Sequence, residues 1–173
     1  MREEIIANET FSIVAEYPEE DFDYYSNVLI ELNSKGERNI IYKDNSLELY
    51  NIVRHYQEEG IPTISDELDV HKLGGMLNDI YVNDVYVNDI DDKYNITQYC
   101  AYEGVSFCTW LFEKNDLYYL LITPVYNTDN DNDNDLEYER FKQNYADLLF
   151  TEISRQELTL LREKILKLYE KLI

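Results

Sequence analysis

The chain has 173 residues, 45% hydrophobic and 14% aromatic, with 15 basic against 36 acidic side chains and a net charge of -21. That much apolar and aromatic material excludes a disordered acidic tail, and the length suits a single domain over 1–173. The excess of carboxylates disfavours direct contact with nucleic-acid phosphates or anionic membranes and favours a cationic protein partner.

In chain order, residues 9–17 and 24–33 read as strands, joined by a loop at Pro18-Glu19-Glu20-Asp21. Ser34-Lys35-Gly36-Glu37 forms the next turn, and 38–43 a third strand with Ile40, Ile41 and Tyr42. A helix should then open. Asn45 can accept from the unpaired amides of its first turn, Glu48 stands three residues on, and Leu49, Ile52, Val53 and Tyr56 make one apolar stripe. Gly60 and Pro62 stop it. Ser65-Asp66-Glu67 can start a short helix, which Gly74-Gly75 would weaken. The five-residue repeat Tyr81-Val82-Asn83-Asp84-Val85, Tyr86-Val87-Asn88-Asp89-Ile90 fits neither helical nor strand period, and reads as a bulged strand or ordered loop.

A meander follows over 94–126, with strands near 94–102, 105–113 and 117–126 and turns at Glu103-Gly104 and Lys114-Asn115-Asp116. Val105, Phe107, Thr109 and Leu111 alternate with Cys108, Trp110 and Phe112. Both faces of that strand are apolar, so it should be central and covered on both sides. Residues 127–135 are Asn-Asp low complexity and read as an exposed loop. Structure resumes over 137–153, including the apolar stretch 146–150. Ser154-Arg155-Gln156-Glu157 is a capping box before a last helix, with Leu158, Leu161, Ile165, Leu168 and Leu172 on one stripe. The class is α+β: a mostly antiparallel sheet, one helix after the N-terminal strands, and a long C-terminal helix packed on the sheet.

Little in the sequence points to catalysis. His55 and His71 are the two side chains that titrate near neutrality unperturbed, and neither sits in a recognisable nucleophile–base pattern. No nucleophile elbow, P-loop or dinucleotide fingerprint occurs. Asp129, Asp131 and Asp133 have the one-three-five spacing of a calcium loop, but Asn134 and Arg140 stand where that loop needs Gly and a bidentate Glu. No metal, cofactor or enzymatic activity is expected. Cys100 and Cys108 read as two reduced thiols flanking a turn; a two-residue turn would pair Cys100 with Phe107, and a three-residue turn would set the sulfurs opposite each other. The N-terminal residues carry no apolar signal core and no run is long enough to span a bilayer, so a cytoplasmic location is expected.

The remaining expectation is protein recognition, since carboxylates steer a basic partner and tyrosines supply rigid contact area. Two segments are candidates: Asp79, Tyr81, Asp84, Tyr86, Asp89, Asp91 and Asp92 in the first, and Asp129, Asp131, Asp133 and Asp135 in the second. With its meander over 94–126, its Asp-rich loops and its capped ending over 154–173, the chain resembles the immunity proteins of bacterial polymorphic toxin systems. That resemblance implies stoichiometric binding to a toxin domain, often a nuclease with a basic cleft, and occlusion of the cleft. Phage anti-restriction and anti-CRISPR proteins, some of them DNA mimics, are the second resemblance, with a defence nuclease as partner. A small-molecule-binding or enzymatic domain is the third reading. Neither a membrane nor nucleic acid is an expected direct partner.

Overall fold

The computed structural model describes residues 1–48, 51, 60–83, 95–126 and 135–170. The fold is α+β, but its strands form two four-stranded antiparallel sheets where one was expected. The first is β1 (Arg2–Ala7), β2 (Phe11–Glu16), β3 (Asn27–Ser34) and β4 (Glu37–Asn45), side by side in that order. The second is β5 (Cys100–Glu103), β6 (Phe107–Lys114), β7 (Leu117–Pro124) and β8 (Leu149–Ile153), also in chain order. Three helices are described: α1 (Leu73–Asn83), α2 (Asp135–Gln143) and α3 (Arg155–Glu170).

Two of the hairpin turns, β3–β4 and β6–β7, follow from local chemistry. Lys35 (φ 53°) and Gly36 (φ 78°) are both left-handed, as are Asn115 (φ 52°) and Asp116 (φ 64°). Two consecutive positive-φ residues make the turn whose twist matches antiparallel strands. The expected first strand begins at Phe11 instead of residue 9, because Asn8 takes over the backbone before it. Its Oδ1 accepts from Thr10 N at 2.9 Å and Phe11 N at 3.1 Å.

β1 was not expected from its sequence. It pairs with β2 through a bulge between Glu4 and Ile6, and the extra residue lets the successive Ile5 and Ile6 both reach the core. At the other edge, Asn45 Oδ1 accepts from Glu48 N at 3.0 Å, the capping contact expected there. The stripe of Leu49, Ile52, Val53 and Tyr56 lies outside the described residues.

The second sheet is the middle layer. Phe107, Leu111, Leu120, Ile122 and Ile153 pack in one cluster with Ile13, Ile30, Leu32 and Ile41 of the first sheet. Cys108, Trp110, Phe112 and Leu121 face the other way, onto Leu73 and Leu77 of α1 together with Ile64, Leu68, Ile96 and Tyr99. β6 is thus covered on both faces, as its uninterrupted apolar run requires. Leu158 and Leu161 of α3 join the inter-sheet cluster. Ser154 and Glu157 close the capping box reciprocally: Glu157 N donates to Ser154 Oγ at 3.0 Å, and Ser154 N donates to Glu157 Oε2 at 2.7 Å. The side chains of Ile165, Leu168 and Leu172 lie outside the described set.

Two further expectations need correction. The segment 94–102 is not one strand. Asn95 is left-handed (φ 47°), Ile96–Tyr99 make a 3-10 turn, and only Cys100–Glu103 pair with β6. The start of the tandem repeat, Tyr81-Val82-Asn83, is neither bulged strand nor loop but the last turn of α1. Gly74 and Gly75 do not prevent that helix. A Cβ on Gly74 would stand 2.6 Å from Thr123 Cβ and would clash with the Tyr145 hydroxyl, so the missing side chain is what lets α1 lie close to β7.

Candidate functional site

α1 is fixed to the second sheet by one buried amide. Asn78 Nδ2 donates to Gly74 O at 2.8 Å and to Pro124 O at 2.9 Å, and Asn78 Oδ1 accepts from Tyr126 N at 2.7 Å. All these contacts point inward, so the next residues turn outward along the helix. Asp79 Oδ1 accepts from the Tyr138 hydroxyl of α2 at 2.5 Å. Tyr81, 45% exposed, donates its hydroxyl to Glu103 Oε2 on β5 at 2.7 Å. Burial, followed by the neighbouring carboxylate, pushes both phenols well above the ordinary tyrosine range.

Around Tyr138 stands an aromatic cluster. Tyr138 and Tyr126 lie 5.2 Å apart between ring centroids, Tyr126 and Phe141 5.2 Å, and Phe141 and Tyr145 6.1 Å. Gly75, Asn78, Asp79, Tyr138, Phe141, Lys142 and Tyr145 line a half-open pocket of about 170 Å³. Asp79 and Tyr81 are therefore the two expected partner-binding residues whose side chains the structure places; they stand two residues apart on α1 and reach different neighbours, Tyr138 and Glu103. Asp84, Tyr86, Asp89, Asp91, Asp92, Asp129, Asp131 and Asp133 lie outside the described residues. Asp135 begins α2, but its side chain is outside the described set.

A second site was not singled out in the sequence. Where the β1–β2 and β3–β4 turns approach the free edge of β8, they bound an open groove of about 1060 Å³. Its rim carries a hydrogen bond from His71 Nδ1 to Asp147 Oδ2 at 2.7 Å. Asp69 accepts from His71 N at 3.0 Å and holds the short turn that presents the ring. The ring stands edge-on to Phe150 at 4.8 Å, and Phe150 stacks on Tyr119 at 5.3 Å, which stacks on Phe112 at 5.9 Å. A carboxylate can only accept, so Nδ1 is the donor and Nε2 is available as an acceptor when the ring is neutral. No groove hydroxyl is hydrogen-bonded to His71 among the described residues. The sequence offered no signal for this pair, because 76 residues separate its members.

Among the described residues, no three His, Cys, Asp or Glu side chains stand close enough together to hold a metal ion. No described helix is long and apolar enough to cross a membrane. No protein-family model matches the chain, and no curated protein or solved structure matches it either.

Proposed function

We propose that this chain is an acidic binding protein that neutralises a basic protein partner, in the manner of a cytoplasmic immunity protein occluding a toxin domain. The observation that carries the reading is charge: 36 acidic against 15 basic side chains on a chain with an ordinary apolar core. Surface carboxylates at that density raise the local concentration of a cationic partner and speed its association. Asp79, Tyr81 and Glu103 add a local argument. Glu103 holds half-exposed Tyr81 by a hydrogen bond, Asp79 holds Tyr138 in the same way, and a pre-positioned aromatic loses little entropy on binding. The Asp-rich segments that flank α1 and α2 in sequence extend the same chemistry.

The test is capture of the partner from host or phage-infected lysate on tagged protein, at low and high salt, with mass spectrometry of the eluate. One basic toxin recovered in near-equal amount at low salt supports the reading. A defence nuclease recovered instead supports the anti-restriction version. In the purified complex, Asp129, Asp131, Asp133 and Asp135 changed together to Asn should slow association while leaving the fold stable. An on-rate indifferent to salt removes the steering argument, since screening acts over about 8 Å at physiological ionic strength.

The groove supports a second reading, a small-molecule-binding or enzymatic domain. His71 and Asp147 form an oriented base of the type that activates a nucleophile or a water molecule. A screen of small molecules by thermal shift, comparing wild type with His71→Ala, separates this from the first reading. Stabilisation lost in the variant locates a ligand at the groove.

A further inference from the structure

We infer that Cys100 and Cys108 are a dithiol modification site that closes to an intramolecular disulfide by exchange with a small-molecule disulfide of the glutathione type. The two sulfurs stand 3.1 Å apart, on neighbouring strands and on the same face of the second sheet. A disulfide needs about 2.05 Å, so closure requires a shift of about 1 Å. The β5 bulge that creates this approach is also where such a shift is cheapest. Cys100 pairs with Trp110 and Tyr102 with Thr109, leaving Ala101 as an extra residue between them. Neither turn length weighed from the sequence gives this register. The bulge brings together two sulfurs that do not belong to one directly opposed pair.

The environments of the two thiols assign an order to the chemistry. Cys100 is partly exposed, while Cys108 is fully buried beside Trp110 and Phe112. Burial, the Cys100 sulfur and the Glu103 carboxylate all push the Cys108 thiol upward, so it is held protonated at neutral pH. Cys100 is the attacking sulfur. Its thiolate displaces one thiol from the small-molecule disulfide and forms a mixed disulfide. Cys108 then gives up its proton to the departing thiolate, attacks Cys100 Sγ and releases the second thiol. The protein loses two electrons and two protons, and the small disulfide gains both pairs as two thiols. The cross-link would tie β5 to β6 beneath Tyr81, whose hydroxyl is held by Glu103 of the same strand.

The experiment incubates the full-length folded chain with oxidised glutathione, alkylates the remaining thiols and reads intact and peptide masses. The expected product has lost two hydrogens, joins Cys100 to Cys108 and takes up no alkylating agent. Its Trp110 fluorescence should drop, because the chain's one tryptophan lies directly across the strands from Cys100. Cys108→Ala should accumulate a single glutathione on Cys100, and Cys100→Ala should remain unmodified. A wild-type chain that keeps glutathione without closing, that stays fully alkylatable, or that cross-links between molecules overturns the inference. Glutathione on Cys108 of the Cys100→Ala variant overturns the assigned order. The wild-type masses decide the main point even where a variant fails to fold.

Discussion

Glu31 on β3 is fully buried, and its Oε2 accepts from Arg2 Nη2 of β1 at 2.8 Å. Arg38 of β4 covers the other oxygen. The carboxylate thus sits on the outer face of the first sheet, roofed by guanidinium groups from both edge strands, which are themselves about half exposed. A buried carboxylate is costly without partners. The solvent reaching both arginines should reduce the effect of removing either one. Arg2→Met or Arg38→Met alone should lower the urea midpoint only slightly, whereas the double substitution, which leaves the buried Glu31 carboxylate unpaired, should cost about 3–5 kcal/mol. Adding Glu31→Leu to the double variant should recover most of the loss; additive single costs would contradict the shared-carboxylate account.

The two helical glycines of α1 should respond in opposite directions. Gly74→Ala forces a methyl against Thr123 and Tyr145 and should destabilise by about 1–3 kcal/mol. Nothing lies within 4 Å of a Cβ on Gly75, so Gly75→Ala should stabilise by about 0.5–1 kcal/mol through helix propensity. Thermal melts of the two variants check both signs.

The β6–β7 turn stores a correctable strain. Asp116 holds φ 64°, a conformation glycine adopts at no steric cost. Asp116→Gly turns the pair into Asn-Gly, the preferred sequence for this turn, and should raise the denaturation midpoint by the equivalent of about 0.5–1 kcal/mol. A lower midpoint would show that the Asp116 side chain contributes more than its backbone costs.

Alkaline pH should unfold the protein early. Burial pushes the phenols of Tyr42, Tyr102 and Tyr145 well above the ordinary tyrosine value of 10.0, with Asp44 and Glu48 adding to the effect at Tyr42 and Asp147 at Tyr145. Their folded-state proton affinity exceeds that of the unfolded chain. Their contribution is therefore complete below about pH 10 and is lost above it, where the unfolded state releases protons first. Denaturation midpoints across that range should fall, and Tyr102→Phe should make the fall shallower. A flat profile would remove the burial argument.

The residues show why some features were legible in the sequence and others were not. The Ser154–Glu157 box and the Lys35-Gly36 and Asn115-Asp116 turns depend on neighbours within four positions, so spacing alone reveals them. Both apolar faces of β6 likewise read directly as a strand covered on two sides. β1 was missed because its Arg-Glu-Glu start has no period-two pattern, and the bulge that seats Ile5 and Ile6 exists only once β2 is beside it. α1 was missed because two glycines argue against a helix locally, while the close approach to Thr123 favours one at Gly74.

By itself the sequence determined the α+β class, the Lys35-Gly36 and Asn115-Asp116 turns, the Asn45 and Ser154 caps, and the acidic character, because each is a property of composition or of short-range spacing. Tertiary structure alone decided that the strands split into two sheets, that Tyr81 is held by Glu103, that His71 meets Asp147, and that Cys100 reaches Cys108. These depend on how bulges and a glycine set the register and approach of elements far apart in the chain, and such long-range contacts leave no periodic trace in the residues that make them.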